Sequence, residues 1–371
     1  LKAAHKVNLA KYKRLTPQLF HHNAIVMLTN GIESRIGSVF SPYPYFQEWK
    51  RLKEEEPGRV DLETMLRGIC RKTSFLDLFE NFILFDESKG EMRKIMARNH
   101  QYLGVNRAYY SVESRHQQDG KLGVFWHTQG SGKSYSMIFL SRKVHRKQPG
   151  NFTFLVLTDR EDLDDQIYKT FAGVGEVDND KDRCRARSGP DLRDLLGYNK
   201  QYVFSLVQKF NLTDPTSYSD RSDIIVISDE AHRTQYGVFA RRMREVLPNA
   251  SFIGFTGTPL MGGPEDELTK STFGDYISTY DFQRAVIDKA TVPLYYDNRG
   301  EKMNITTEAL NEKMAKVLEE FDPNEDQEAR LRRVLRSDYL IITKPERLER
   351  IAQDFVEHYT CLLYTSDAAD E

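Results

Sequence analysis

The sequence predicts an α/β fold with a parallel sheet covered by helices on both faces. Short apolar runs recur through the middle of the chain, and stretches with helical spacing separate them. The runs are almost continuously apolar, which is typical of strands buried on both faces. Three polar motifs follow directly after such runs, and the carboxyl ends of parallel strands are where these sheets bind ligands.

The predicted strands of this sheet are short runs rich in β-branched and aromatic residues, at 122–126, 152–157, 202–207, 224–227 and 252–255. A glycine loop and a helix through about Lys147 follow the first strand. Earlier in the chain, 23–28 and 35–40 predict a hairpin around the turn at 29–31. The charged stretch 46–56 predicts a helix that Pro57-Gly58 ends, and a second helix is expected over 61–69.

Length and composition set broad limits. The 371 residues suggest two or three domains. The 53 basic and 55 acidic side chains give a net charge of −2, which neither indicates nor excludes a local basic track for nucleic acid. Apolar runs long enough to span a membrane are absent from the sequence. Three scattered cysteines show no metal or disulfide spacing, which favours a reducing, cytoplasmic setting.

The two ends of the chain carry weaker patterns. The first residues lack an initiator Met and a signal-peptide core, so we expect the chain to begin inside a larger protein. Residues 307–357 are highly charged with helical spacing and predict a solvated linker helix. Residues 362–371 show neither a helix nor a strand pattern that connects to what precedes them.

Residues 127–134 predict a phosphate-binding loop between a strand and a helix. Gly130 and Gly132 allow backbone N–H groups to turn towards phosphates. Lys133 supplies charge to the β- and γ-phosphates, and Ser134 can place its hydroxyl on magnesium. The usual pattern opens with Gly, whereas this loop opens with His127. The residues expected to hold ATP from this loop are Thr128, Gln129, Gly130, Ser131, Gly132, Lys133 and Ser134.

Two further motifs follow later strands. Asp229 ends an apolar strand and is expected to hold Mg²⁺, and Glu230 is expected to orient or deprotonate the attacking water. An acidic turn that caps a helix is the structural alternative. Thr256 and Thr258 flank Gly257 after the next strand and could relay the nucleotide state, although Gly and Pro there also favour a plain turn.

Together the motifs Gly-Ser-Gly-Lys-Ser, Asp-Glu-Ala-His and Thr-Gly-Thr-Pro resemble the first RecA-like domain of superfamily 2 helicases and translocases. Longer stretches narrow the resemblance to the motor subunit of type I restriction enzymes. These stretches are 125–134, 158–166, 207–210, 273–278 and 290–296. The resemblance extends over nearly the whole chain, to about residue 359.

The resemblance implies a subunit that joins a PD-(D/E)xK-type α/β nuclease domain to a two-lobed motor. Residues 1–75 would be the C-terminal remainder of the nuclease domain, 76–300 the first motor lobe, and 301–371 a charged helical linker with the start of lobe 2. Lys2 would be the catalytic lysine of the nuclease, with its acidic partners before residue 1. The motor would pull double-stranded DNA past methyltransferase (M) and specificity (S) subunits, and the nuclease would cut away from the recognition site.

The family also implies roles for single residues. Gln101 stands where a glutamine would read adenine. His232 and Arg233 would couple ATP hydrolysis to movement. Three residues would face DNA or the cleft between the lobes, namely Arg160, Gln208 and Lys209. Contact with the phosphate backbone is the mode expected of a translocase that ignores sequence.

Two other interpretations remain open from the sequence. The chain could be a helicase or remodeller of DNA or RNA without a role in restriction, and the long family stretches argue against it. It could also be a nucleotide-binding module that does not turn over. Glu230 argues against that for a complete protein, but for residues 1–371 it stays plausible, because hydrolysis in such motors needs residues from both lobes.

Overall fold

The computed structural model describes residues 1–88, 90, 92–178, 183–210, 217–229, 236–259, 261–292 and 345–367. By their contacts the residues fall into two compact units, Leu1–Pro293 and Leu294–Glu371. The first unit contains every described strand, together with the first ten α-helices.

A six-stranded parallel sheet forms the centre of the first unit. Its strands are β5 (Lys121–His127), β6 (Thr153–Thr158), β7 (Tyr202–Leu206), β8 (Ile224–Asp229), β9 (Ser251–Thr256) and β10 (Tyr276–Tyr280). Their order across the sheet is β10-β5-β9-β8-β6-β7, and every neighbouring pair is parallel. All six carboxyl ends therefore lie at one edge of the sheet. The five strands predicted from the sequence are confirmed, and β10 joins them.

Successive side chains of the strands enter two separate cores. Phe154 and Val156 belong to one apolar cluster, whereas Leu155 and Leu157 belong to the other. The helices that supply these clusters are α4 (Asn99–Glu113), α5 (Lys133–Lys147) and α6 (Glu161–Gly173) for the first, and α7 (Gly189–Gly197), α8 (Tyr236–Val246) and α9 (Pro264–Phe273) for the second. The predicted parallel sheet with helices on both faces is confirmed.

The described residues also form two antiparallel hairpins and five further α-helices. The hairpins pair β1 (Val26–Thr29) with β2 (Ser34–Gly37) and β3 (Ile83–Asp86) with β4 (Arg93–Met96). Four helices belong to the first unit, namely α1 (Ala10–Leu15), α2 (Leu62–Ile69), α3 (Lys72–Asn81) and α10 (Phe282–Ile287). The fifth is α11 (Pro345–Asp367) of the second unit. The predicted first hairpin and the helix over 61–69 are confirmed.

The helix predicted over 46–56 is wrong. This segment lies in irregular structure, and Trp49, Lys50 and Arg51 are buried. The backbone N–H groups of Lys50 and Arg51 donate to Oδ1 of Asn99, at 3.3 and 3.0 Å, instead of to helical carbonyl groups. Tertiary contacts therefore override a helical pattern of charged residues.

The second unit is described only in α11. Residues 307–344 of the predicted charged helical segment lie outside the described residues. Helix α11 runs to Asp367. The sequence showed no helical pattern from residue 362 onwards, and this expectation is wrong for residues 362–367. Among the described residues, helices with the length and apolarity needed to cross a bilayer are absent.

Candidate functional site

The predicted phosphate loop joins the end of β5 to the start of α5. Gly130 and Gly132 adopt φ angles of +80° and +88°, which a residue with a side chain rarely adopts. Gly132 is also the N-cap of α5, so the loop ends at the positive end of the helix. This backbone conformation is the one that a phosphate-binding turn requires.

Helix α4 holds the carbonyl groups of this loop. Nε2 of His100 donates to the carbonyl oxygen of Ser131 at 3.1 Å, and Nε2 of Gln101 donates to that of Gly132 at 3.0 Å. The Gln101 side chain is 5% exposed, and its Oε1 accepts from the Arg98 N–H at 2.9 Å. The structure thus brings Gln101 to the phosphate loop, and its predicted contact with adenine stays a prediction.

Lys133 lies against the Thr256-Gly257-Thr258 turn at the end of β9. A β-carbon on Gly257 would be 2.9 Å from Nζ of Lys133 and 3.3 Å from the backbone nitrogen of Gln129. Thr256 is buried, and its Oγ1 accepts from the N–H of Thr258 at 3.2 Å. Two of the three sequence motifs therefore meet in space.

Asp229 lies at the same edge of the sheet. It is the last residue of β8, is 7% exposed, and stands opposite Phe255 in the register with β9. Since Thr256 follows Phe255, the end of β8 that carries Asp229 lies directly beside the turn that begins at Thr256. Glu230, His232 and Arg233 lie outside the described residues, so their predicted roles stay predictions.

Two histidines are packed beneath the loop. His127 is 1% exposed, and its ring centroid is 5.5 Å from that of His100. Burial lowers the pKa of His127 well below its usual value, and the charges of His100 and Lys133 lower that pKa further. Burial also lowers the pKa of His100 to about 4, while its ring stacks on Tyr280 at 3.8 Å between centroids. Both imidazoles are therefore neutral near pH 7.

The residues at this edge fit a magnesium-bound nucleoside triphosphate. The loop supplies a glycine turn, a lysine and the start of a helix, and buried Ser131 Oγ has no hydrogen-bond partner among the described atoms. Clusters of three or more His, Cys, Asp or Glu with metal-binding geometry are absent from the described part of the chain. A single aspartate such as Asp229 suits Mg²⁺ bound with a nucleotide, because that ion keeps waters and takes its other ligands from phosphates.

Two of the three residues predicted to face DNA lie at the ends of neighbouring strands. Arg160 and Gln208 follow β6 and β7, which are neighbouring strands, and Nε2 of Gln208 donates to the Asp159 carbonyl oxygen at 2.8 Å. The Arg160 side chain is 57% exposed. Nζ of Lys209 is occupied by a hydrogen bond to the Ala186 carbonyl oxygen. Contact with DNA stays a prediction for all three.

Lys2 lies at the exposed start of the first helical segment, which continues as a π-helical stretch over Ala4–Leu9. The small apolar cluster of this region contains Leu9, Leu28 and Phe46. The predicted role of Lys2 in cleavage stays a prediction.

Sequence reasoning missed two polar residues beside the loop. Ser278 on β10 contacts His127, and Glu54 contacts Ser278. Glu54 belongs to the charged segment that was expected to be a helix, so the sequence carried no signal that this side chain is buried. Ser278 is a serine in a strand that is only partly apolar, and its position is set by the pairing of β10 with β5.

Comparisons with known proteins agree with this geometry. The SWI2/SNF2 ATPase family profile matches residues 100–328. The type I restriction enzyme HindI endonuclease subunit of Haemophilus influenzae is 38% identical over 94% of this chain and 35% of its own length. The type I restriction enzyme SsaAORF53P endonuclease subunit of Staphylococcus saprophyticus is 25% identical over 78% of this chain and 31% of its own. The chain thus spans about a third of the length of these relatives.

Among solved structures, the UvsW helicase of bacteriophage T4 is similar at 14% identity and a TM-score of 0.39. The alignment covers 56% of this chain and 67% of the helicase.

Proposed function

Because the chain belongs to the SWI2/SNF2 ATPase family, we propose that it is the ATP-dependent motor part of a type I restriction endonuclease subunit. The motor translocates double-stranded DNA, and the subunit cuts that DNA away from the recognition site. The observation that carries the proposal is the contact of Lys133 with Gly257, beside the strand that ends at Asp229. Lysine, aspartate and the glycine loop share one edge of the sheet, which is the arrangement that hydrolysis of a triphosphate needs.

Each residue of the site has one task. Lys133 neutralises the charge of the β- and γ-phosphates, and the loop backbone from Thr128 to Ser134 encloses them. Asp229 and Ser134 would hold Mg²⁺, which would supply positive charge against the negative charge of the transferring phosphoryl group. Glu230 orients the attacking water. Thr256 and Thr258, next to Lys133, pass the state of the nucleotide to the DNA-facing residues, and His232 and Arg233 take part in this coupling.

The restriction part of the proposal rests on similarity to restriction subunits over most of the chain. Residues 1–75 would then be the end of a nuclease domain with Lys2 as its lysine, 76–300 the first motor lobe, and 301–371 the linker to the second lobe. The partners would be double-stranded DNA and the M and S subunits, in the cytoplasm. Arg160, Gln208 and Lys209 would contact the DNA backbone.

Two measurements test the proposal. A fluorescent N-methylanthraniloyl ATP is titrated into the 371-residue chain with Mg²⁺, and we expect saturable binding that unlabelled ATP displaces. Chromatography of the native protein tests the restriction part, and we expect a methyltransferase and a specificity subunit to co-elute with it. Absence of nucleotide binding would refute the motor function, whereas binding without these partners would favour a helicase or remodeller outside restriction.

A further inference from the structure

A chain of three buried polar side chains runs beneath the phosphate loop. Nε2 of His127 is 2.7 Å from Oγ of Ser278, and Oγ of Ser278 is 3.1 Å from Oε1 of Glu54. All three side chains are buried. The partners are far apart in sequence, with 151 positions between His127 and Ser278 and 224 between Ser278 and Glu54. Phosphate binding and hydrolysis, as proposed above, use neither Ser278 nor Glu54.

The hydrogen-bond directions in this chain follow from Glu54. Its Oε1 accepts from the backbone N–H of Thr279 and is therefore an acceptor for Ser278 as well. Ser278 has one hydroxyl proton, which it donates to Glu54, so its oxygen must accept from His127. His127 then carries its proton on Nε2, and Nδ1 has a free lone pair. Nδ1 is buried without a hydrogen-bond partner among the described atoms.

The surroundings leave little freedom to this arrangement. Helix α4 presents Gly104 to it, and a β-carbon there would be 2.5 Å from Oγ of Ser278 and 3.0 Å from Nε2 of His127. The ring of Phe125 packs on the His127 ring at 3.9 Å between centroids. Arg107 of α4 forms an ion pair with Oε2 of Glu54 at 3.4 Å. The ring of His127 is therefore in contact with protein atoms on several sides. The space beside Ser278 that a side chain at position 104 would need is already occupied by protein atoms.

We propose that Glu54 and Ser278 are positioning residues that fix His127 as the neutral Nε2–H tautomer and so set the phosphate loop for a nucleoside triphosphate. His127 opens the loop at the position where the usual pattern has glycine, so its ring orientation bears directly on the backbone that encloses the phosphates. Glu54 lies outside the sequence motifs of the motor. It belongs to the irregular segment 46–56, which precedes β3. The inference rests on the proposed nucleotide binding, but its first prediction concerns the protein without nucleotide.

The tautomer is measured by ¹⁵N NMR of the 371-residue chain labelled at histidine, and the His127 signals are assigned from the difference with His127→Asn. We expect protonated Nε2 and unprotonated Nδ1 at pH 7. In Glu54→Ala the Ser278 hydroxyl loses its acceptor and can donate to Nε2, so the proton should move to Nδ1. In Glu54→Gln an acceptor oxygen remains, and the wild-type tautomer should persist. A Nδ1–H form in the wild type, or an unchanged tautomer in Glu54→Ala, would overturn the inference.

Nucleotide affinity gives the second measurement. Loss of this hydrogen bond should leave the His127 ring less well held, so Glu54→Ala and Ser278→Ala should bind the fluorescent ATP about fivefold more weakly, which corresponds to about 1 kcal/mol. Glu54→Gln and the exposed control Glu63→Ala should stay within about twofold of the wild type. Thermal unfolding identifies a variant that does not fold, and Ser278→Ala, which removes one oxygen, then decides the outcome. Equal affinity in folded Ser278→Ala and wild type would refute the positioning role.

The two proposals can fail separately. If the wild type binds no nucleotide, the proposed function fails, whatever the tautomer. If the wild type binds nucleotide but its affinity and the His127 tautomer do not respond to Glu54→Ala and Ser278→Ala, only the inference fails.

Discussion

Nζ of Lys133 lies so close to Gly257 that a β-carbon on residue 257 would be 2.9 Å from it. The lysine of the phosphate loop therefore rests on the turn that follows the neighbouring strand, β9. A residue with any side chain at 257 would compete with the ammonium group for the same space. The contact gives a physical reason for glycine between two threonines at this place.

Lys133→Ala should weaken nucleotide binding, because it removes a charge-assisted hydrogen bond to the phosphates. Such bonds contribute about 1.5–3 kcal/mol, which corresponds to roughly ten- to a hundredfold in the dissociation constant. The measurement is titration with fluorescent ATP and Mg²⁺. Lys147→Ala, at the far end of the same helix, is the matched control and should bind like the wild type. Equal affinities for Lys133→Ala and Lys147→Ala would contradict the role of Lys133.

Gly257→Ala should displace the Lys133 ammonium group and weaken nucleotide binding several-fold. Its effect should depend on Lys133, since the added carbon meets Nζ at 2.9 Å. In the Lys133→Ala background the same change should therefore cost little further affinity, which a double-mutant cycle measures. Gly197→Ala is the control, because a β-carbon at 197 meets nothing within 4 Å. Additive losses in the cycle would show that Gly257 acts independently of Lys133.

Glu230→Gln should leave nucleotide binding intact and stop hydrolysis in the native protein. The amide keeps the size of the side chain but cannot accept a proton from the attacking water. Binding is followed with fluorescent ATP, and hydrolysis by release of phosphate in the presence of DNA. Full turnover by the variant would show that another residue activates the water.

The 371-residue chain on its own should bind nucleotide but hydrolyse little of it. Motors of the family that the sequence resembles complete their active site with residues of the second lobe. The test is phosphate release with and without double-stranded DNA, at nucleotide concentrations that saturate binding. Strong stimulation of turnover by DNA would show that residues 1–371 suffice for hydrolysis.

The two buried histidines should make stability depend on pH. Burial lowers the pKa of His100 to about 4 and that of His127 well below its usual value, whereas both groups titrate near 6.5 in the unfolded chain. Below pH 6.5 the unfolded state takes up protons that the native state excludes, so the free energy of unfolding falls. With about 1.4 kcal/mol per pH unit for each group, the pair should lose about 4 kcal/mol of unfolding free energy between pH 7 and pH 5.

Urea unfolding at pH 7, 6 and 5 measures this loss. The variant His127→Asn has one titrating group fewer and should show a smaller decrease over the same range. If the variant and the wild type lose stability in parallel, His127 is not the source of the effect.

Much of the sheet could be predicted because its strands are continuous apolar runs. β6 and β8 are buried along their whole length, and runs of Val, Ile, Leu and Phe are typical of that position. The phosphate loop could be predicted as well, since glycines with positive φ leave a clear pattern in a sequence. Local composition was sufficient for these elements.

Other parts depend on partners that are distant in the chain. β10 alternates between buried and partly exposed residues, and its place beside β5 is set by tertiary pairing. Glu54 stands in a charged run, and its contacts with Ser278, Thr279 and Arg107 distinguish it from exposed glutamates nearby. Such contacts cannot be derived from local composition, because those with Ser278 and Thr279 join residues that are 224 and 225 positions apart in the chain.

The position of β5 between β9 and β10 has a consequence for biosynthesis. Both neighbours of β5 leave the ribosome long after β5 itself, and the bond between His127 and Ser278 spans 151 positions. During translation the strand that carries the phosphate loop therefore has neither of its sheet partners, and the backbone N–H and C=O groups along both of its edges lack their strand partners until these are synthesised. A nascent chain should therefore bind nucleotide only after Tyr280 has left the ribosome, although the phosphate loop itself is synthesised much earlier.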